Sequence, residues 1–105
     1  MEQSEAKFGV GDVVHHKRFG YRGVIIDADA VFSLSDEWYD AMATSMPPKD
    51  CPWYHVLVHG SDGQTYVAER NLELDDSGEP ILHPLVGSYF EEFRDGRYVN
   101  VHLDS

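Results

Sequence analysis

The stretch that decides the fold lies in the middle of the chain. It reads Trp53-Tyr54-His55-Val56-Leu57-Val58-His59, then Gly60-Ser61-Asp62-Gly63, then Gln64-Thr65-Tyr66-Val67-Ala68-Glu69. The outer blocks are rich in β-branched and aromatic residues, which favour strands, and the middle block consists of turn-forming residues. The stretch therefore predicts an antiparallel hairpin.

A second hairpin is predicted upstream of the first. Segments 12–17 and 24–30 are strand-like, and the connection between them contains Gly20 and Gly23, which suit a turn. Downstream, segment 71–74 is expected to be a short strand or a single turn, and 75–80 a surface loop. After a turn at 94–96, residues 97–103 alternate as a final strand.

Two short helices are also predicted. The first lies within segment 33–42, where Ser35 is a suitable N-cap and acidic residues follow it in the first turn. Pro47 and Pro48 end it. The second is expected from Leu85 to Phe93, with Pro84 suited to its first turn.

These elements predict a mainly β protein: a small SH3-like barrel of antiparallel strands with one or two short helices, the first of which covers one end of the barrel. A chain of 105 residues is long enough for one compact domain and too short for two. We expect residues 1–6 to form a flexible N-terminal tail and residues 7–103 to form the single domain.

The charge balance restricts the partners. Eight Lys and Arg against 19 Asp and Glu give a net charge of −11. A chain with so large a negative charge repels polyanions at long range. Generic nucleic-acid binding also depends on Lys and Arg residues that displace phosphate counterions, and this chain has few of them. Any nucleic-acid site must therefore be a local basic patch.

The sequence shows no sign of export, membrane insertion or disulfide formation. The acidic first six residues do not resemble a secretory signal, no apolar run is long enough to span a bilayer, and the single cysteine, Cys51, permits no internal disulfide. We therefore expect a cytoplasmic protein with no membrane partner.

Metal binding and catalysis are not expected. The six histidines lack the spacing of a zinc site; His55 and His59, four apart on a strand, would be separated by roughly 13 Å. The acidic neighbour of Cys51 disfavours a reactive thiolate, and no nucleophilic triad or phosphate-binding glycine loop is present. The sequence predicts a protein that is not an enzyme and has no metal or cofactor.

Two candidate binding regions remain. The turn residues Lys17, Arg18, Tyr21 and Arg22 combine cationic and aromatic groups that suit contacts with DNA phosphates and bases; alternatively, the aromatic rings close the barrel and the charges are solvated.

The second region is a groove for protein segments, with Trp38, Trp53 and Tyr54 as candidate residues. An acidic rim around it would favour basic, hydrophobic segments. Simple core packing of these rings is the alternative.

Several blocks of the chain resemble, in order, the HspQ (YccV-like) family. They are KFGVGDVVHH (7–16), YRGVIIDAD (21–29), PWYHVLV (52–58), YVAERNL (66–72) and HPLVGSYF (83–90). The last block is similar to the variant of this family that also occurs in certain F-box proteins. Segment 36–50 and the closing segment depart from the best-known members.

This resemblance implies an SH3-like barrel and two non-catalytic activities. One is a heat-shock role as a specificity factor that helps the Lon protease to degrade selected denatured proteins; the other is binding of hemimethylated duplex DNA near the replication origin. The resemblance supplies no active-site residues. The net charge of −11 favours the adaptor role and leaves DNA binding as the alternative. Exposed strand edges favour a small homo-oligomer.

Overall fold

The main sheet has five antiparallel strands in the computed structural model, which describes residues 6–43 and 45–100. The strands are β1 (Val13–His16), β2 (Arg22–Asp29), β3 (Trp53–Val58), β4 (Gln64–Ala68) and β5 (Leu72–Leu74). Their order is β4–β3–β2–β1–β5. A 3-10 helix, Glu69–Asn71, joins the two outermost strands, so the sheet curls back toward itself. The predicted mainly β, SH3-like class is confirmed.

The first helix forms where the sequence predicts it. Helix α1 (Asp36–Met42) begins after Ser35, whose hydroxyl accepts a hydrogen bond from the backbone N–H of Trp38 at 3.0 Å. This bond satisfies one of the donors left unpaired at a helix N-terminus. The helix ends well before Pro47. No helix in residues 6–43 or 45–100 has the length and apolar character needed to cross a membrane.

The second predicted helix, from Leu85 to Phe93, is wrong in its extent. Only α2 (Val86–Tyr89) is helical, and it is followed by β6 (Glu92–Arg94), which pairs with β7 (Arg97–Val99). The predicted turn between them is confirmed, with φ of 54° at Asp95 and 82° at Gly96. An Asp-Gly pair favours such a tight hairpin, and strand pairing therefore outweighs helix propensity here.

Two predicted segments fall partly outside the described residues. The predicted final strand, 97–103, is confirmed as β7 over its first three residues, whereas 101–103 lie beyond what the structure describes. Residues 1–5 of the predicted tail also lie outside it. Segment 71–74, for which the sequence predicts a short strand or a single turn, forms the end of the 3-10 helix and then β5.

Three apolar clusters hold the sheet. The inner face of the curled sheet carries Val14, Ile25, Tyr54, Val56, Val67 and Leu72. The outer face is covered twice. The C-terminal segment packs on Val24 and Leu57 at one end, and α1 packs through Tyr39 on Trp53 at the other. Between these two covers, the outer face of β3 presents His55.

A β-bulge in β2 determines which side chains reach that gap. Before the bulge, Ile25 lies opposite Val56 on the inner face; after it, Asp27 lies opposite His55. A slip of one residue moves every following side chain to the other face. Without the bulge Asp27 would lie opposite Tyr54, in the apolar interior. The bulge therefore directs the carboxylates of β2 to the outer face.

Close contact between β2 and β3 requires a glycine at position 23. A Cβ atom on Gly23 would lie 2.4 Å from Val56 Cγ1 and 2.5 Å from the carbonyl oxygen of Leu57. We expect Gly23→Ala to destabilise the fold by about 2 kcal/mol, because overpacking of this kind forces the strands apart. Urea unfolding measures the change. Gly87→Ala is the matched control, since a Cβ there meets nothing within 4 Å; equal stability of the two variants would contradict the prediction.

Candidate binding cleft

A cleft of about 480 Å³ straddles strand β4. Most of its wall comes from the β1–β2 turn, the α1 region and β4, and strand β3 and the 3-10 helix contribute further residues. The lining residues are His16, Arg18, Phe19, Tyr21, Leu34, Trp38, Met42, Ala43, Ser45, Pro47, Trp53, His55, Gln64, Thr65, Tyr66, Val67, Ala68 and Asn71. All five residues of β4 take part, so the cleft reaches both faces of this strand.

The floor of the cleft beside α1 is aromatic. Trp38 lies edge-on to Tyr66, with ring centroids 5.5 Å apart, and Tyr66 stacks on Trp53 at 5.2 Å. Hydrogen bonds fix two of these rings: Trp53 Nε1 donates to the carbonyl of Pro48, and the Tyr66 hydroxyl donates to Asp29. Burial and the bond to Asp29 raise the pKa of Tyr66 to about 12. Tyr66 is therefore neutral at physiological pH.

The opposite wall is the β1–β2 turn, which is held by a buried histidine. His16 is 4% exposed, and its Nδ1 accepts the backbone N–H groups of Arg18 and Phe19 at 3.1 and 3.0 Å. The ring also stacks on Phe19, with centroids 4.7 Å apart. Burial, and then the positive charge of Arg18, lower the pKa of His16. The neutral ring is thus the form that fits this turn.

Three of the four residues predicted to contact DNA lie together on the exposed β1–β2 turn, and the fourth does not. Arg18 and Tyr21 line the cleft, and Lys17 is exposed on the same turn. Arg22 points elsewhere: it is paired with Asp75 at 3.0 Å, and its side chain is only 19% exposed. Burial opposes the charge of Asp75, but the hydrogen bonds to this carboxylate outweigh burial and lower its pKa. Arg22 therefore has a structural role in tying β2 to the 75–80 loop.

The predicted protein-binding residues are also divided. Trp38 and Trp53 line the cleft, whereas Tyr54 is 0% exposed and lies in the inner cluster. The Tyr54 hydroxyl donates to Glu69 at 2.7 Å, and burial raises its pKa. Tyr54 thus supports the sheet and does not line the cleft.

One set of possible metal ligands lies at the edge of the cleft. Donor atoms of Asp27, Asp29 and His55 lie within 4.8 Å of one another, and His55 Nε2 is 3.2 Å from Asp29. Histidine spacing alone did not indicate this group, because the β2 bulge and the β2–β3 register create it. Exposed acidic groups are common without an ion, and Asp29 already contacts His55 and accepts a hydrogen bond from Tyr66.

Several lining residues are not among the binding residues predicted from the sequence. Phe19, Met42 and Leu34 are respectively 67%, 61% and 39% exposed and surround the cleft mouth. A sequence signal exists for Met42, because Trp38 and Met42 are four apart and would share one helix face; none exists for Leu34, which lies in the loop before α1.

The chain matches a known protein family over most of its length. The family model described as "Hemimethylated DNA-binding protein YccV like" matches residues 6–97. The match covers all five strands of the main sheet and the whole cleft.

The lowered pKa of His16 predicts a pH dependence of stability. The unfolded chain binds a proton near pH 6.5, whereas the folded turn binds it only at lower pH. The contribution of His16 to the free energy of unfolding is therefore fully present above pH 6.5, and it is lost as the pH falls from 6.5 toward the pKa of the folded state. Urea midpoints between pH 7.5 and 5 should fall less for His16→Gln than for the parent protein. An unchanged slope in His16→Gln would contradict the assignment.

Proposed function

Since the chain belongs to the YccV-like family, we propose that it is a non-catalytic cytoplasmic specificity factor. Its cleft binds segments of denatured proteins, and it promotes their degradation by the Lon protease. Hemimethylated duplex DNA is the second candidate ligand.

The observation that carries the proposal is the apolar character of the cleft. Phe19 and Met42 are exposed at its mouth, and the half-buried Trp38 also lines it. Exposed aromatic and methionine side chains around a concave site are typical of surfaces that bind apolar segments of other proteins. Met adapts to different side chains, which suits a factor that accepts several clients.

The charge of the chain supports the same ligand class. Glu37 and Asp40 are exposed on α1, which has no basic residue in its last turn, and the whole chain carries −11. A denatured segment with Lys or Arg near its apolar side chains is attracted to so acidic a chain, whereas a polyanion is repelled at long range. Denatured proteins expose such apolar segments, and folded proteins bury them.

The adaptor acts by proximity rather than by chemistry. If one surface contacts the protease while the cleft holds the client, the client's effective concentration at the protease rises without any change in peptide hydrolysis itself. The expected signature is faster degradation of a bound client with no general rise in ATP hydrolysis.

Two exposed methionines, one lining the cleft and one outside it, provide a test of whether the cleft binds the client. Met42 lines the cleft and is 61% exposed; Met46 is 63% exposed and lies outside the lining. We expect Met42→Lys to reduce stimulation of Lon by about tenfold, because binding would place an ammonium group against apolar surface. Met46→Lys should retain full stimulation.

The measurement is the rate at which purified Lon degrades a denatured, fluorescein-labelled casein with each variant. Equal loss in both variants would point to a charge effect outside the cleft. No stimulation of several clients by the parent protein would overturn the adaptor proposal.

DNA binding is favoured by the family description and by the exposed turn that carries Lys17 and Arg18. Arg18 also lies over the ring of Phe19, 5.8 Å from its centroid. A cation beside an aromatic face can contact a phosphate and a base. Against this, Arg22 is occupied by Asp75, which reduces the cations on this turn.

The DNA alternative predicts a different mutational result. Arg18→Ala should abolish binding of a hemimethylated duplex, and parent affinity should fall steeply between 50 and 200 mM salt. Arg94→Ala, on the β6–β7 hairpin, is the charge-matched control. Fluorescence anisotropy with hemimethylated, fully methylated and unmethylated duplexes measures it. Equal affinity for all three duplexes would overturn specific recognition of hemimethylated DNA.

A further inference from the structure

Strand β4 is an edge strand of the main sheet. The alternation of its hydrogen bonds with β3 shows which of its backbone groups point away from the sheet. At one end the N–H of Val58 donates to the carbonyl of Gly63 at 3.1 Å; at the other, the N–H of Glu69 donates to Pro52 at 3.0 Å. In an antiparallel pair, bonded residues alternate along the strand. The backbone N–H and carbonyl groups of Thr65 therefore point toward β3, as do those of Val67, the other odd-numbered residue of β4.

The even-numbered residues of β4 present their backbone groups to the open edge. Within 6–43 and 45–100, no hydrogen bond joins the N–H or carbonyl of Gln64 or Tyr66 to a segment beyond the edge. Ala68 is only 2% exposed because α1 packs on it. The accessible edge thus extends along Gln64, Thr65 and Tyr66.

This edge lacks the features with which proteins usually prevent strand pairing. Natural edges are blunted by charged residues, by Pro or by a covering segment. Gln64, Thr65, Tyr66, Val67 and Ala68 include no charged residue and no Pro. The opposite edge strand, β5, differs, because it carries Glu73, which pairs with His15.

We propose that β4 receives an extended segment of a denatured protein as an additional strand of the sheet. The inference rests on the proposed client-binding function and specifies its mode: backbone hydrogen bonds to Gln64 and Tyr66 hold the segment, and its side chains alternate between two walls. One set lies against Trp38 and Tyr66, and the other lies toward Tyr21, whose hydroxyl is 2.7 Å from that of Thr65.

The occupant is defined by charge and by shape. The wall beside α1 is aromatic, and the wall at the β1–β2 turn combines Phe19 and Tyr21 with Arg18, so apolar side chains on the segment fit the site. The chain as a whole carries −11, so Lys or Arg at the ends of the apolar run complements its overall charge. Backbone recognition does not read sequence, which agrees with a factor that accepts different denatured proteins.

The test uses the full chain, labelled with ¹⁵N, and the blocked heptapeptide Lys-Leu-Thr-Leu-Thr-Leu-Lys at up to millimolar concentration. We expect binding to slow amide exchange of Gln64 and Tyr66 by tenfold or more. Thr65 already donates within the sheet, so its protection should change little. Two N-methylated peptides provide the control, one modified at the leucines and one at the threonines. Methylation should weaken binding only where the methylated amides face β4, by about tenfold for the lost hydrogen bonds.

The outcomes separate this inference from the proposed function. Binding with no new protection of Gln64 and Tyr66, and with equal affinity for both methylated peptides, would overturn strand addition while leaving the cleft as a client site. Failure of the peptide and of denatured casein to bind would overturn both proposals. Concentration-dependent protection of Gln64 and Tyr66 without peptide would assign the edge to a second copy of the chain, and would also overturn the inference.

Discussion

The pairing of β2 with β3 is the constraint on which the other features depend. Its first half is close-packed, because Gly23 lies directly against Val56 and Leu57, and it buries Val24 and Ile25 on opposite faces. One extra residue then shifts the register, so the second half of β2 turns its carboxylates away from the interior. A single strand thereby completes two apolar clusters and still contributes polar groups to the edge of the cleft. Loss of the bulge would bury Asp27, at a cost of several kcal/mol for an unpaired charge.

The polar groups that the bulge places outside connect the sheet to the cleft floor. Asp29 accepts a hydrogen bond from the Tyr66 hydroxyl at 2.8 Å and lies 3.2 Å from His55. Tyr66 in turn holds Trp53 by stacking. Rings fixed in this way lose little conformational entropy when a ligand binds, which favours binding by a preformed site. The exposed side chains at the mouth, such as Met42, supply the adaptability that the rigid floor lacks.

Much of the fold was predictable because its signals are local. The hairpin of Trp53 to Glu69, the Ser35 cap and the Asp95-Gly96 turn each follow from residues adjacent in sequence. The error at residues 85–93 arose because the pairing of Glu92–Arg94 with β7 depends on contacts outside the segment. For the candidate site, the sequence indicated the right side-chain types but not their grouping. Arg18 and Trp38 were assigned to different surfaces, and the structure places them around one cleft.

An uncharged open edge on a strongly acidic chain resolves a conflict between binding and self-association. A strand edge attracts any extended chain, including another copy of the same protein. Two copies that met edge to edge would each carry a net charge of −11, spread over the whole molecule. Their mutual repulsion opposes this contact and weakens as added salt shortens the Debye length from about 8 Å at physiological ionic strength. A basic apolar segment meets no such barrier. In the proposed client-binding function, this acidic surface would act as a selectivity filter for the edge: it would attract cationic unfolded chains and would oppose pairing with a second copy of the chain.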